Sequence, residues 1–257
     1  VLRSTYLRMR FNMERFRAAH INKHRSGKRA LTSSSDKRMV QQPTSFDNYA
    51  EVLARLGYPV KLQFSSIFGN EGGDLSLLPA AIGKRNEGEQ WIGIAPFAAH
   101  KGKVYPPEMM ERVIDLIEEN NPHCRIFLFG RGRDESHTFP EWCARHSHCI
   151  FVGDHLDTMR QELVLMSHLD VMVSMDSANM HMASLTGTPV VSIWGATHPY
   201  AGFMGWHQSE DNAVQLDLPC RPCSIFGNKP CRRGDFACMN GIKPEQIYDK
   251  INRLLSH

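Results

Sequence analysis

The stretch Asp170-Val171-Met172-Val173-Ser174-Met175-Asp176-Ser177-Ala178-Asn179-Met180-His181-Met182-Ala183-Ser184-Leu185-Thr186-Gly187-Thr188-Pro189 decides the fold. It opens as a short apolar run, breaks at a small polar turn, continues with helical texture and closes at Gly187 before another apolar run. A strand almost free of polar residues is buried on both faces. A helix that follows it directly and leads into a second such strand is the repeating unit of a parallel sheet. Working outward, the same texture predicts strands at 91–95, 125–129, 149–152, 171–174, 189–194 and 213–216. Between them it predicts helices near 107–120, 139–146, 158–168 and 178–186, with a last one near 244–255. The expected class is α/β: a doubly wound, Rossmann-like C-terminal domain.

The N-terminal third reads differently. Leu2, Tyr6, Met9, Met13 and Phe16 recur at spacings of three and four, which predicts an amphipathic helix within the first 20 residues. Its apolar stripe, aromatics included, is expected to pack inside a domain. Segments 25–29 and 32–38 are loop by composition. Ser45 is placed to cap a helix through Tyr49, Val52, Leu53 and Leu56 that Gly57 ends. A glycine-rich segment (69–74) and a charged one (84–89) then mark a boundary, giving units 1–80 and 81–257.

Across 257 residues, 42% are hydrophobic and 22% charged, which excludes a mostly disordered chain. No run of 18 apolar residues occurs to span a membrane, and the first residues do not read as a signal peptide. There is no initiator Met, so the chain is expected to begin inside a longer one. Charge is unevenly spread. Residues 1–40 carry 11 Lys/Arg against two acids, a net of +9, while the remainder carries 19 against 25, a net of −6. A basic arm attracts anionic partners: phospholipid, a phosphorylated glycan or nucleic acid. A basic nucleic-acid-binding protein is therefore the alternative reading, with salt-sensitive affinity as its mark. Seven cysteines without an export signal point to reduced thiols.

In open α/β sheets, ligands bind beyond the carboxyl ends of the strands. After 171–174, Asp176 or Ser177 can cap the next helix, whose positive end suits a diphosphate, and His181 lies one turn in. The loop after 91–95 supplies Lys101 and Lys103, the latter a point charge for a phosphate. Gly130-Arg131-Gly132 lacks the third glycine of a dinucleotide fingerprint, but Glu135 or Asp134 beyond it can hold ribose hydroxyls. Gly195-Ala196-Thr197-His198-Pro199 is a further strand-end loop expected to line the same crevice. Cys220, Cys223, Cys231 and Cys238 meet half the spacing pattern of a structural zinc site, the other reading being plain thiols.

Three of these segments carry a family resemblance: Lys103-Val104-Tyr105-Pro106, the 170–189 block, and Gly195-Ala196-Thr197 with the cysteine segment that closes on Cys238-Met239. From Trp91 to Leu255 the chain resembles glycosyltransferase family 9, the heptosyltransferases of lipopolysaccharide core synthesis. The resemblance implies a GT-B fold, with a complete donor domain and a partial N-terminal acceptor domain. It implies an inverting, metal-independent and cofactor-free transfer of a heptose from a nucleotide sugar, most often ADP-heptose. Carried over by position, Lys103 binds the donor diphosphate, and Asp176 with the Ser177 and Ala178 backbone holds phosphates and sugar. His181 supports that loop and Glu135 (or Asp134) takes the ribose. Ala178 stands where the family has Gly, Tyr105 where it has Trp, and Ala98 and Ala99 where it has threonines. The family's presumed catalytic acid would precede residue 1, so the chain is expected to be truncated, and a donor-binding fragment without catalysis is the second alternative reading. The acceptor implied is an anionic lipid-linked glycan, met at the cytoplasmic face of the inner membrane. Arg25, Lys28, Arg29, Lys37 and Arg38 are the residues expected to draw the chain weakly to that surface. No nucleic-acid partner is expected on this reading.

Overall fold

The computed structural model describes residues 2–256. Helices α1 (Leu2–Met13), α2 (Arg25–Leu31) and α3 (Ser45–Leu56) precede the sheet. Then come β1 (Gln90–Ala95), α4 (Pro107–Asn120), β2 (Cys124–Leu128), α5 (Arg133–Arg145), β3 (Cys149–Phe151), α6 (Met159–Met166) and β4 (Val171–Met175). α7 (Ala178–Leu185), β5 (Val190–Trp194), β6 (Ala213–Gln215), α8 (Ala237–Asn240) and α9 (Pro244–Leu255) complete the order. All six strands are parallel, in the order β3-β2-β1-β4-β5-β6. The α/β expectation holds.

Side chains alternate across the sheet, so each strand feeds two cores. Ile92, Ile94, Val171 and Val173 face α4 and α9 residues such as Ile114 and Ile251. Trp91, Ala95, Met172 and Val190 face α6 and α7 through Leu165, Met180 and Ala183. Gly93 sits where a Cβ would meet Met172 Sδ at 2.5 Å, so no larger residue fits. Below the sheet, Arg125 lies 4.8 Å from the Trp91 ring and bonds Glu89 at 2.6 Å and the Ile82 carbonyl. Burial opposes ionisation of Glu89, but hydrogen bonds from Arg125 and Trp91 outweigh it and hold its carboxyl at about 2.

Four expectations are corrected. First, α5 begins at Arg133 rather than near 139 and carries Pro140 inside it. Phe139, buried against Phe97, Phe151 and the Trp142 ring, holds the helix through the proline's missing N–H. Second, residues 25–31 form a helix and not a loop, because Leu31 is fully buried beneath it. Its Gly27 is required, since a Cβ there would strike the Gln42 amide. Third, Thr44 caps α3, not Ser45. Its side chain accepts from the Asp47 N–H, and the Asp47 carboxylate accepts from the Thr44 N–H. Fourth, the N-terminal stripe is not packed. α1 stops at Met13, and Tyr6, Met9, Met13 and Phe16 are each more than half exposed. No described element covers them; the Phe16 ring meets that of Phe11, ring to edge at 6.2 Å.

Candidate functional site

Strand order reverses between β1, whose successor turns one way, and β4, whose successor turns the other. The carboxyl ends of these two central strands therefore diverge into a crevice. A pocket of about 780 Å³ opens there. Lys103, Glu135, Asp176, Ser177, Ala178 and His181 all line it, so every residue expected at the donor site is brought together.

The centre of the pocket is a cation held by its surroundings. Lys103 Nζ contacts Asp176 Oδ2 at 2.8 Å and donates to the Asp176 carbonyl at 3.1 Å. The two side chains are only 15% and 5% exposed. Three glycines allow the approach. Gly102 abuts Ala196 and Gly227, and its carbonyl accepts from the Ala196 N–H at 2.9 Å. Gly227, at φ +75°, leaves no room for a Cβ, which would stand 2.6 Å from the Lys103 stem. Gly195 packs on Met239 and on the Gly102 carbonyl.

Neither Asp176 nor Ser177 caps α7, contrary to expectation. The Asp176 carboxylate is taken by Lys103, and Ser177 Oγ pairs with Ser174 Oγ at 3.2 Å. Ser177 keeps the extended backbone of an N-cap but makes no side-chain cap, and the first residues of the helix line the pocket. His181 also lines the pocket. Burial pulls its pKa below the usual histidine value, with Asp176 pulling up and Lys103 down, so the ring is neutral at pH 7. Across the crevice, Gly130 and Gly132 are seats for Glu135. A Cβ on Gly130 would stand 2.5 Å from the Glu135 Cγ, and one on Gly132 would meet its carboxylate. The pair of glycines that resembles a nucleotide fingerprint is thus spent on placing an acid.

The sequence matches Glycosyltransferase family 9 (heptosyltransferase) over residues 15–230. The chain belongs to glycosyltransferase family 9. Lipooligosaccharide heptosyltransferase 2 of Campylobacter jejuni is 31% identical over 85 residues, which are 33% of this chain and 26% of that protein. Among solved structures, E. coli ADP-heptose lps heptosyltransferase II superposes with a TM-score of 0.62 at 17% identity. That match covers 83% of this chain and 62% of the other. A family 9 glycosyltransferase of Veillonella parvula gives 0.61 at 17% identity, covering 84% and 61%. The E. coli heptosyltransferase WaaC with ADP gives 0.58 at 14% identity, covering 86% and 60%. The matched stretch thus spans about a quarter of the length of the curated relatives.

Other motifs of this family 9 chain serve as scaffold. Tyr105 is fully buried and donates to the Ile242 carbonyl at 2.8 Å, tying the Lys103 loop to the turn before α9. Residues 195–199 do not line this pocket among the described residues; Ala196 instead packs behind it against Gly102. Buried Arg221 donates to the carbonyls of Gly195 and Thr197 and so clamps the cysteine segment onto that loop. Cys220, Cys223, Cys231 and Cys238 line one separate pocket of about 290 Å³. All four are free, and among the described residues no three His, Cys, Asp or Glu side chains are grouped to hold a metal ion.

The five basic residues have unequal lots. Lys37 donates to the carbonyls of Arg221 (2.7 Å) and Pro222 (3.1 Å), and Arg38 pairs with Asp36 at 3.0 Å. Lys28 lies 4.4 Å from the centre of the Phe203 ring. Among the described residues no helix is long and apolar enough to cross a membrane. Sequence reasoning missed Phe203 and Phe226, which line the pocket at the ends of β1 and β4. Their local signal is an aromatic beside glycine outside any strand or helix, as in Gly202-Phe203 and Phe226-Gly227.

Proposed function

We propose that this chain holds the nucleotide sugar of a heptosyltransferase, with ADP-heptose as donor and a lipopolysaccharide-core glycan as acceptor. The observation that carries the reading is the buried Lys103 ammonium, set at the uncapped start of α7 in one pocket with Glu135. A pocket of about 780 Å³ suits a nucleotide diphosphate. A fixed cation beside helical N–H groups suits the diphosphate's charge. In this reading Lys103 and the Ser177 and Ala178 backbone hold the phosphates. Asp176 positions Lys103, neutral His181 supports the loop, and Glu135, with Asp134 beside it, accepts from the ribose hydroxyls.

Transfer inverts the anomeric carbon without a metal. An acceptor hydroxyl attacks in line, the bond to the diphosphate breaks, and Lys103 with the α7 terminus takes up the charge that develops on the leaving group. The base that receives the hydroxyl proton comes from the acceptor half of the enzyme. Residues 81–257 act as donor domain and 1–80 as part of the acceptor domain. The acceptor is an anionic lipid-linked glycan at the cytoplasmic membrane face, which the basic arm approaches peripherally.

Calorimetric titration of ADP into the wild type and Lys103→Ala tests the donor reading, with circular dichroism to confirm that both are folded. The wild type binds and the variant binds at least about ten-fold more weakly, as loss of a charge-assisted contact predicts. No binding by the wild type, or equal binding by both, overturns it. Co-sedimentation with anionic liposomes at low salt tests the membrane part. Binding that survives neutralisation of Arg25, Arg29 and Arg38 removes it.

A further inference from the structure

Away from the pocket at the ends of β1 and β4, the chain gathers four thiols in one place. Cys220, Cys223, Cys231 and Cys238 line the separate cavity of about 290 Å³, and no disulfide joins them. Lys37, Arg221, Lys229, Arg232 and Arg233 line it too, and among the described residues its lining includes no carboxylate. Three of these cations are engaged: Lys37 with the carbonyls of Arg221 and Pro222, Arg221 with those of Gly195 and Thr197, and Arg233 with Asp235 at 2.9 Å. Lys229 and Arg232 are exposed and stand in no ion pair among the described residues. The thiols are not equivalent. Burial pushes the pKa of Cys238 up, and burial, then the neighbouring Cys220 and Cys231, does the same to Cys223. Cys231 goes the other way. Burial pushes its pKa up, but the backbone N–H groups of Phe236, Arg233 and Gly234 outweigh it and bring the thiol below its usual value. Such donors favour the thiolate, which is the nucleophilic form. Cys223 and Cys231 also flank the loop that carries Phe226 into the first pocket and sets Gly227 against the Lys103 stem. One favoured thiolate, a second thiol in the same cavity and unpaired cations around them are the parts of a thiol–disulfide exchange site.

We infer that this cavity is a modification site for an anionic low-mass disulfide, with Cys231 as the attacking thiol and Cys223 as the resolving one. The Cys231 thiolate attacks one sulfur of the incoming disulfide, a mixed disulfide forms, and the other half leaves as a thiolate. Cys223 then gives its proton to water and attacks the Cys231 sulfur. A Cys223–Cys231 bond forms and the second half departs as a thiolate. The protein dithiol has been oxidised by two electrons and the reagent reduced to two thiols. Lys229 and Arg232 draw in the carboxylates of the reagent. The new bond closes the loop between the two cysteines and restricts it. None of this depends on the donor reading above.

The test exposes the full chain to oxidised glutathione, which is anionic, and to cystamine, a cationic disulfide, and follows each cysteine by mass spectrometry over time. Rates are taken relative to the urea-unfolded chain, which removes the reagents' own difference in reactivity. In the folded chain oxidised glutathione reacts first at Cys231, favoured over cystamine by at least about ten-fold. The mixed disulfide then gives way to a Cys223–Cys231 bond, and hydrogen exchange across residues 224–230 slows. In Cys223→Ser the mixed disulfide on Cys231 persists. Lys229→Gln/Arg232→Gln slows oxidised glutathione by at least about five-fold and leaves cystamine no slower. Circular dichroism confirms that both variants are folded. Equal preference for the two reagents, first reaction at Cys143 or Cys220, or a bond between any other pair of cysteines overturns the inference. Stoichiometric zinc or iron in protein purified without chelator also overturns it, because the thiolates then serve as metal ligands.

Discussion

Replacing Lys103 by Met leaves the Asp176 carboxyl, itself 4% exposed, in a buried place without the cation that faces it. The buried contact at 2.8 Å is the only ion pair made by either group among the described residues. Removing one partner of such a pair costs about 3–5 kcal/mol, most of it the penalty on the abandoned charge. For a domain of this size that is about 6–20 °C in melting temperature. Asp176→Asn should cost less, because the Lys103 side chain is the more exposed of the two and reaches pocket water more easily. The double variant Lys103→Met/Asp176→Asn removes both charges and recovers much of the loss, giving a coupling of about 2–3 kcal/mol. Equilibrium urea unfolding of the wild type, two single variants and the double variant measures it. A Lys103→Met protein within about 0.5 kcal/mol of wild type, or strictly additive losses, refutes the buried-pair reasoning.

Three further outcomes follow from the geometry. His198 is buried, and burial first, then Arg221, drives its pKa from 6.5 to about 4. The unfolded chain therefore takes up a proton between pH 6.5 and 4 that the folded chain refuses. The resulting loss of stability grows as pH falls, to about 3 kcal/mol at most. In His198→Asn, which keeps an acceptor for the Tyr200 N–H and removes the titration, chemical unfolding at stepped pH should show a flatter acid limb. An identical limb rejects the assignment. Gly227→Ala puts a Cβ against the Lys103 stem in a left-handed backbone, so it should lose about 1–2 kcal/mol of stability and at least ten-fold in ADP affinity. Unchanged calorimetric affinity would mean that Gly227 does not position Lys103. Glu89→Gln breaks the contact with Arg125, and its destabilisation should be largest near neutral pH and vanish as pH falls from 4.5 to about 2, where wild-type Glu89 also loses its charge. Thermal melts across that range check it.

The strands were readable because nothing competes with a short apolar run between turns. The run 189–194 became β5 at Val190–Trp194, and 91–95 became β1 at Gln90–Ala95. Where local signals conflict, the sequence misleads. Ser26-Gly27 hides α2, whose cause is Leu31 burial and contact with Gln42, and the polar turn 133–136 with Pro140 hides the start of α5. The candidate site residues were legible as types at strand ends, and Lys103, Glu135, Asp176 and His181 do converge on one pocket. Their supports were not. Gly227 and Lys103 are remote in sequence, and no periodicity links them. The exposed stripe of α1 is the converse lesson: helical spacing forecasts an apolar face but not what covers it.

That remoteness bears on the order of events during synthesis. The lysine emerges from the ribosome early, with β1, but the residues that fix its stem and its loop arrive much later: Ala196, then Gly227, then Ile242 opposite Tyr105. A nascent chain that has run just past β4 already has Lys103 and Asp176, yet nothing behind the lysine to hold it in place. Competence to grip a nucleotide should therefore switch on as a late step, once α8 and the turn before α9 have been laid down. A donor added to a series of stalled chains would report the length at which this pocket first closes around its cation.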